Sequence, residues 1–114
     1  MAGQPDLTTI PGSFAALDAA FQPARAGNIS RTIQFNFTGA EPGTWTLSVR
    51  RGAFGAREGA AEAPNAEVTV DSEEWLHILR GESNAITLFM SGKIRVAPPS
   101  AAMDLMQFQN WFQW

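Results

Sequence analysis

The sequence predicts an α+β domain in which helices lie against one face of a sheet. Three observations predict it. Two neighbouring segments, Thr32 to Thr38 and Thr44 to Arg51, alternate apolar and polar residues with the period of a strand. Two other segments carry apolar residues at helical spacing, Phe14, Leu17 and Phe21 in one and Trp75, Ile78 and Leu79 in the other. The chain has 114 residues, 45% of them hydrophobic, which suits one domain with its own core.

Residues 1–12 read as a loose, polar, Pro- and Gly-bearing lead-in, and the folded domain is expected over 13–114. Ser13 is expected to cap a short helix that Pro23 ends. In the first strand Ile33, Phe35 and Phe37 share a face, opposite Thr32, Gln34, Asn36 and Thr38. Gly39 to Gly43 makes the turn, and Trp45, Leu47 and Val49 continue the apolar face in the second strand. Such a hairpin has one covered side and one wet side. Ala53 to Gly59 is a weak third strand, followed by a small-residue loop through Asn65, and Glu67 to Val70 is a fourth strand.

Asp71 and Glu74 then fit a capping box that opens a helix, closed by Gly81 in a left-handed cap. Ser83 is expected to cap an apolar turn from Asn84 to Met90, which Gly92 breaks. Lys93 to Ala97 is the fifth strand, with Ile94 and Val96 inward, and Pro98-Pro99 leads into a last helix from about Ser100. In that helix Ala101, Leu105, Phe108 and Phe112 form one stripe, while Met103, Met106 and Trp114 fall on the opposite half. A helix apolar on both sides has more to meet than a sheet: a ligand, a partner or a membrane.

Composition excludes several function classes. Asp and Glu outnumber Lys and Arg by 11 to 8, so no basic surface for a phosphate backbone is expected and nucleic acid is not a partner. There is no Cys and a single His, His77, placed among charged residues on an outer helix face. That leaves no nucleophile–base pair of the usual kind and no structural zinc site, and the carboxylates are scattered or serve a helix N-terminus. Gly92-Lys93 precedes a strand and so is not a phosphate loop. The expectation is a protein that is not an enzyme and needs no cofactor. No apolar run is long enough to span a bilayer, no secretory leader is evident and the chain does not end in Ser-Lys-Leu, so cytoplasmic residence is expected.

The aromatic usage is distinctive: eight Phe, four Trp and no Tyr. Nearly all of this surface lacks a hydroxyl, which suits either a Phe-rich core or a cavity that stays apolar. Methionines at 90, 103 and 106 add soft side chains that adapt to varied apolar ligands.

The order of segments carries a resemblance. Phe35-Asn36-Phe37-Thr38-Gly39 and Gly43-Thr44-Trp45-Thr46-Leu47 form the hairpin; Ala66 to Val70 and the capped helix from Asp71 to Gly81 follow; Leu88 to Val96, ending Gly92-Lys93-Ile94-Arg95-Val96, leads to the final helix. Over about Ile29 to Phe112 this succession resembles the sterol carrier protein 2 family of lipid-binding domains. It departs from the family in its short N-terminal region and in Pro98-Pro99, where a Gly-containing turn is usual. The resemblance implies a five-stranded mixed sheet with helices on one face and an apolar cavity between them. It implies a fatty acid, acyl-CoA, sterol or isoprenoid as ligand. On the family pattern the cavity is lined by Phe35, Trp75, Leu79, Phe89, Met90, Met103, Met106 and Phe108, with Phe14 and Phe21 closing one end.

The leading expectation is therefore non-catalytic carriage of a lipid-like molecule, with transient contact to a membrane or an enzyme. Two alternatives stand beside it. One is an accessory protein that presents a hydrophobic substrate, such as a quinone precursor, to biosynthetic enzymes through Trp111 and Trp114. The other is an interaction module whose final helix forms a homodimer and whose cavity is filled by side chains.

Overall fold

The computed structural model describes residues 8–27 and 30–101. Met103, Met106, Phe108 and the rest of the expected final helix lie outside the described residues; the 3-10 turn Pro99–Ala101 is the last described element.

The first helix, α1 (Ile10–Ala20), begins ahead of the expected Ser13 cap. Thr9 is the cap, its hydroxyl accepting from the Gly12 N–H at 3.1 Å, and Pro11 sits in the first turn, where its missing N–H costs nothing. Ser13 is thereby an interior, fully buried helix residue. Pro23 does not merely end a helix; it opens the short α2 (Pro23–Ala26) after an extended Phe21.

The five strands are β1 (Ser30–Thr38), β2 (Gly43–Arg50), β3 (Ala53–Glu58), β4 (Ala66–Asp71) and β5 (Ile94–Ala97). They form one sheet in the order β3-β2-β1-β4-β5. Only the central β1–β4 pair is parallel, with Phe35 beside Val68; the others are antiparallel. The register sets Leu47 beside Ile33 and Trp45 beside Phe35, with Val49 one pair further along the same face, and sets Ile33, Phe35 and Phe37 beside Ala66, Val68 and Val70. One face of the three central strands is thus continuously apolar, and eight of these nine residues are buried.

The opposite face carries Gln34, Asn36, Glu67 and Thr69, and the first three are joined by hydrogen bonds: Gln34 Nε2 donates to Asn36 Oδ1 at 3.0 Å and to Glu67 Oε1 at 3.2 Å. Part of this face is covered. The segment after β3 folds back, so Thr46 Oγ1 donates to the Gly59 carbonyl at 2.8 Å and Ala61 N–H donates to Gln34 Oε1 at 3.0 Å.

The helix α3 (Ser72–Leu79) begins at Asp71, whose Oδ2 accepts from the N–H groups of Glu73 and Glu74. It ends in a Schellman motif at Gly81, with Glu82 N–H donating to the His77 carbonyl at 2.8 Å. The helix α4 (Ala85–Met90) is capped by the Asn84 side chain, which accepts from Ile86 and Thr87, rather than by Ser83. A second Schellman motif at Gly92 turns the chain into β5, with Lys93 N–H donating to the Leu88 carbonyl at 2.9 Å.

Candidate functional site

The helices α1 and α3 meet over the apolar face of the sheet, and their shared contact is aromatic. Phe14 of α1 stacks on Trp45 with centroids 5.0 Å apart, and meets Phe35 edge-on at 5.7 Å. Trp75 of α3 lies 4.9 Å from Phe35, 5.7 Å from Phe37 and 5.7 Å from Phe14. These are contact distances, so side chains fill the middle of the interface between helices and sheet. Arrangements of this kind add to simple area burial and hold the rings in one geometry.

Burying a tryptophan this deeply also buries its N–H, which needs an acceptor. Trp75 Nε1 donates to Ser13 Oγ at 2.9 Å, and that hydroxyl donates in turn to the Ile10 carbonyl at 2.6 Å. A second tie comes from the hairpin turn. Glu41 Oε2 accepts from Ile10 N–H at 3.1 Å, and Glu41 N–H donates to Ser72 Oγ at 3.1 Å. The turn between β1 and β2 is therefore bonded to the starts of both α1 and α3.

The expected lining residues separate into three groups. Phe35 and Trp75 come together at the centre of the aromatic cluster, and Leu79 is half-buried at its edge. Phe89 and Met90 do not join them: on α4 they are 40% and 79% exposed, because that short helix buries Leu88 and turns its other apolar residues outward. Met103, Met106 and Phe108 lie outside the described residues. Phe14, expected at one end, is the central ring instead, while Phe21 packs on Phe54 at 5.6 Å toward the β3 edge. At the rim of the core, Leu79, Ile94 and Val96 remain half-buried.

Two parts of the arrangement were not evident in the sequence reading. One is Ser13 as the acceptor for a buried indole; Pro11, a residue favoured in first turns, was the signal that the helix starts earlier. The other is an open groove of about 540 Å³ on the wet side of the sheet, lined by Thr38, Thr69, Asp71, Glu74, Lys93 and Arg95 among others. Among the described residues no group of three or more His, Cys, Asp or Glu is placed to hold a metal ion. No helix among them is long and apolar enough to cross a membrane.

Among solved structures, the palmitated SCP2L2 of Aedes aegypti superposes with a TM-score of 0.72 at 17% identity, covering 88% of this chain and 92% of that one. The sterol carrier protein domain 2 of Helicoverpa armigera gives 0.68 at 18% identity, covering 96% and 92%. A stereoselective inverting sec-alkylsulfatase, Pisa1 from Pseudomonas sp., gives 0.80 at 17% identity; the match covers 99% of this chain but 17% of the sulfatase, so the fold corresponds to a small part of that enzyme. No curated protein matches the chain. The model of the SCP-2 sterol transfer family matches residues 14–112, a span that takes in the sheet, the aromatic cluster, α3 and α1 from Phe14 onward. With that match and the five-stranded mixed sheet of the same architecture, the chain belongs to the SCP-2 sterol transfer family.

Proposed function

We propose that the chain binds and carries a lipid-like molecule against the rim of its aromatic core. The observation that carries this reading is an excess of apolar surface in a member of this family. The described helices cover the centre of the sheet but leave Leu79, Ile94 and Val96 half-buried. An alkyl chain laid along such a rim gains about 0.8 kcal/mol per methylene removed from water. The affinity then comes from length rather than from a specific polar contact, and selectivity among fatty acids, acyl-CoA, sterols and isoprenoids is correspondingly low. Trp75 and Leu79 supply the wall, and Met103, Met106 and Phe108 complete it. The support for those three is the sequence pattern from about Ser100 onward, which as a helix would be apolar on both sides.

The reading assigns no chemistry to the chain: the protein carries and does not transform its ligand. The test is uptake of a fluorescent fatty acid, displaced by unlabelled palmitate, in the wild type and in Met103→Glu and Met106→Glu. The charge should lower uptake at least tenfold, since an unpaired carboxylate buried in an apolar wall costs several kcal/mol. Uptake that survives both substitutions removes that wall from the site.

A second reading has one observation in its favour. The fold recurs within 17% of an alkylsulfatase chain, so the same architecture accompanies an enzyme. On this reading the domain presents an apolar substrate to a catalytic partner. Lipid transfer between vesicles separates the two: a carrier accelerates it unaided, whereas a presenting domain binds the lipid and leaves transfer unchanged.

A further inference from the structure

The cations of this chain are unevenly placed. Of its eight Lys and Arg residues, four stand at one end of the sheet: Arg25, Arg31, Arg50 and Arg51. The topology brings them there. Ser30 at the start of β1 pairs with Arg50 at the end of β2, and Arg31 pairs with Val49. Arg50 pairs in turn with Ala53 of β3, so Arg51 and Gly52 form a two-residue hairpin turn. The short α2, which carries Arg25, lies against this turn, since a Cβ at Gly52 would stand 3.5 Å from Pro23. Arg25, Arg50 and Arg51 are exposed. Arg31 is half-buried, with Nη1 donating to the Ser30 carbonyl at 2.9 Å. The carboxylates of Glu41, Asp71, Glu73 and Glu74 lie at the other end, after β1 and around the β4–α3 junction. Among the described residues no ion pair engages Arg50 or Arg51.

The turn itself is unusual. Both of its central residues have positive φ, 49° at Arg51 and 81° at Gly52. A hairpin turn of that kind favours Asn, Asp or Gly at its first position. Arg51 is the one non-glycine residue with positive φ among the described residues, and no bond within them uses its side chain. A long cation is therefore held at the tip of the hairpin at a backbone cost that Asn would reduce. What arginine adds there is charge presented to solvent.

The surroundings narrow the partner. All four cations are arginines, whose planar forks pair with carboxylates or phosphates through two hydrogen bonds at once. Pro23, Ala24, Ala53 and Gly55 beside them are exposed and small. Among the described residues the exposed large hydrophobics are Ile86, Phe89 and Met90, all on α4, so this end offers no apolar wedge to a bilayer. The patch is also too short to track a nucleic-acid backbone. Small side chains around arginine forks suit the close approach of another protein.

We propose that this arginine end docks a protein presenting clustered carboxylates, with Arg50 and Arg51 making the central pairs. The docking goes beyond ligand carriage and does not depend on it, because none of the four arginines belongs to the aromatic core or its half-buried rim.

The test is fluorescence anisotropy of a labelled oligoglutamate peptide titrated with the whole chain at low salt. The wild type should bind the peptide, and added salt should weaken the binding. Arg50→Gln combined with Arg51→Asn should lose affinity about fivefold or more. That variant should melt no lower than the wild type, because Asn suits the left-handed position, and should keep fatty acid uptake. Lys93→Gln combined with Arg95→Gln removes the same charge outside the patch and should bind the peptide within about twofold of the wild type. A wild type that takes up fatty acid but not the peptide overturns the docking and leaves the carrier reading intact. Equal losses in the two double variants overturn it by reducing the effect to net charge, as does an unchanged affinity in the Arg50/Arg51 variant. It is overturned too if phosphatidylglycerol vesicles, and not the peptide, bind through these arginines, or if the wild type forms a dimer that the Arg50/Arg51 variant lacks. Those results would give the patch to an anionic lipid surface or to a second copy.

Discussion

The indole N–H of Trp75 and the hydroxyl of Ser13, 62 positions apart in the chain, share a buried hydrogen bond of 2.9 Å that joins α3 to α1. Neither helix could be placed without the other. The hydroxyl accepts from the indole and donates a hydrogen bond to the Ile10 carbonyl, and no buried polar atom is left unpaired among the described side chains.

Ser13→Ala should destabilise the domain by about 1–3 kcal/mol, because it orphans a buried donor. Trp75→Phe removes the donor along with part of the ring. The double variant should therefore be less unstable than the sum of the two single variants. Urea unfolding of all four proteins measures that coupling, and strict additivity would show the bond to be energetically idle.

Phe14→Ala deletes the ring that touches Phe35, Phe37, Trp45 and Trp75. The expected loss is about 3–5 kcal/mol. Phe14→Leu keeps most of the volume and should cost clearly less. Equal losses in the two variants would mean that the neighbours collapse into the space and that stacking matters little.

Glu41 accepts from Ile10 N–H at the start of α1. A carboxylate at a helix N-terminus is favoured by both the bond and the helix dipole. Glu41→Ala should cost about 1–2 kcal/mol, and Glu41→Gln, which keeps an acceptor, about half of that. Thermal melts of the two variants rank them; a Gln variant as unstable as Ala would assign the effect to charge alone.

Gly39 and Gly81 both have positive φ, at 90° and 79°. A Cβ at Gly81 meets open space, whereas one at Gly39 runs into the Asp71 carboxylate that caps α3. Gly81→Ala should cost about 1 kcal/mol, the ordinary penalty for that backbone. Gly39→Ala should cost about 1–2 kcal/mol more, since it displaces a cap as well. Denaturant midpoints that rank the two in the opposite order would contradict this placement of Asp71.

Much of the fold was legible because strands with one covered face must alternate. Ile33, Phe35 and Phe37 point to the core as their parity requires, and the strand ends fall within a residue or two of the expected ones. Thr46 breaks the parity: it is 2% exposed on the wet face, because the chain after Glu58 folds over it, and no local pattern announces such a return. Pairing of β1 with β4 was not readable from periodicity either, since it joins residues about thirty positions apart; the family resemblance implied a mixed sheet but not which strands run parallel. Of the site, Phe35 and Trp75 were legible as inward-facing residues. Phe89 and Met90 were not legible as exposed, because a short apolar helix has no polar side from which to tell which face turns out.

Native mass spectrometry of the freshly purified protein, followed by solvent extraction, tests the carrier reading most directly. A discrete added mass that extracts as a fatty acid, acyl-CoA, sterol or isoprenoid is the predicted result. A bare mass, unchanged after incubation with fatty acids, acyl-CoA and quinones, would contradict it.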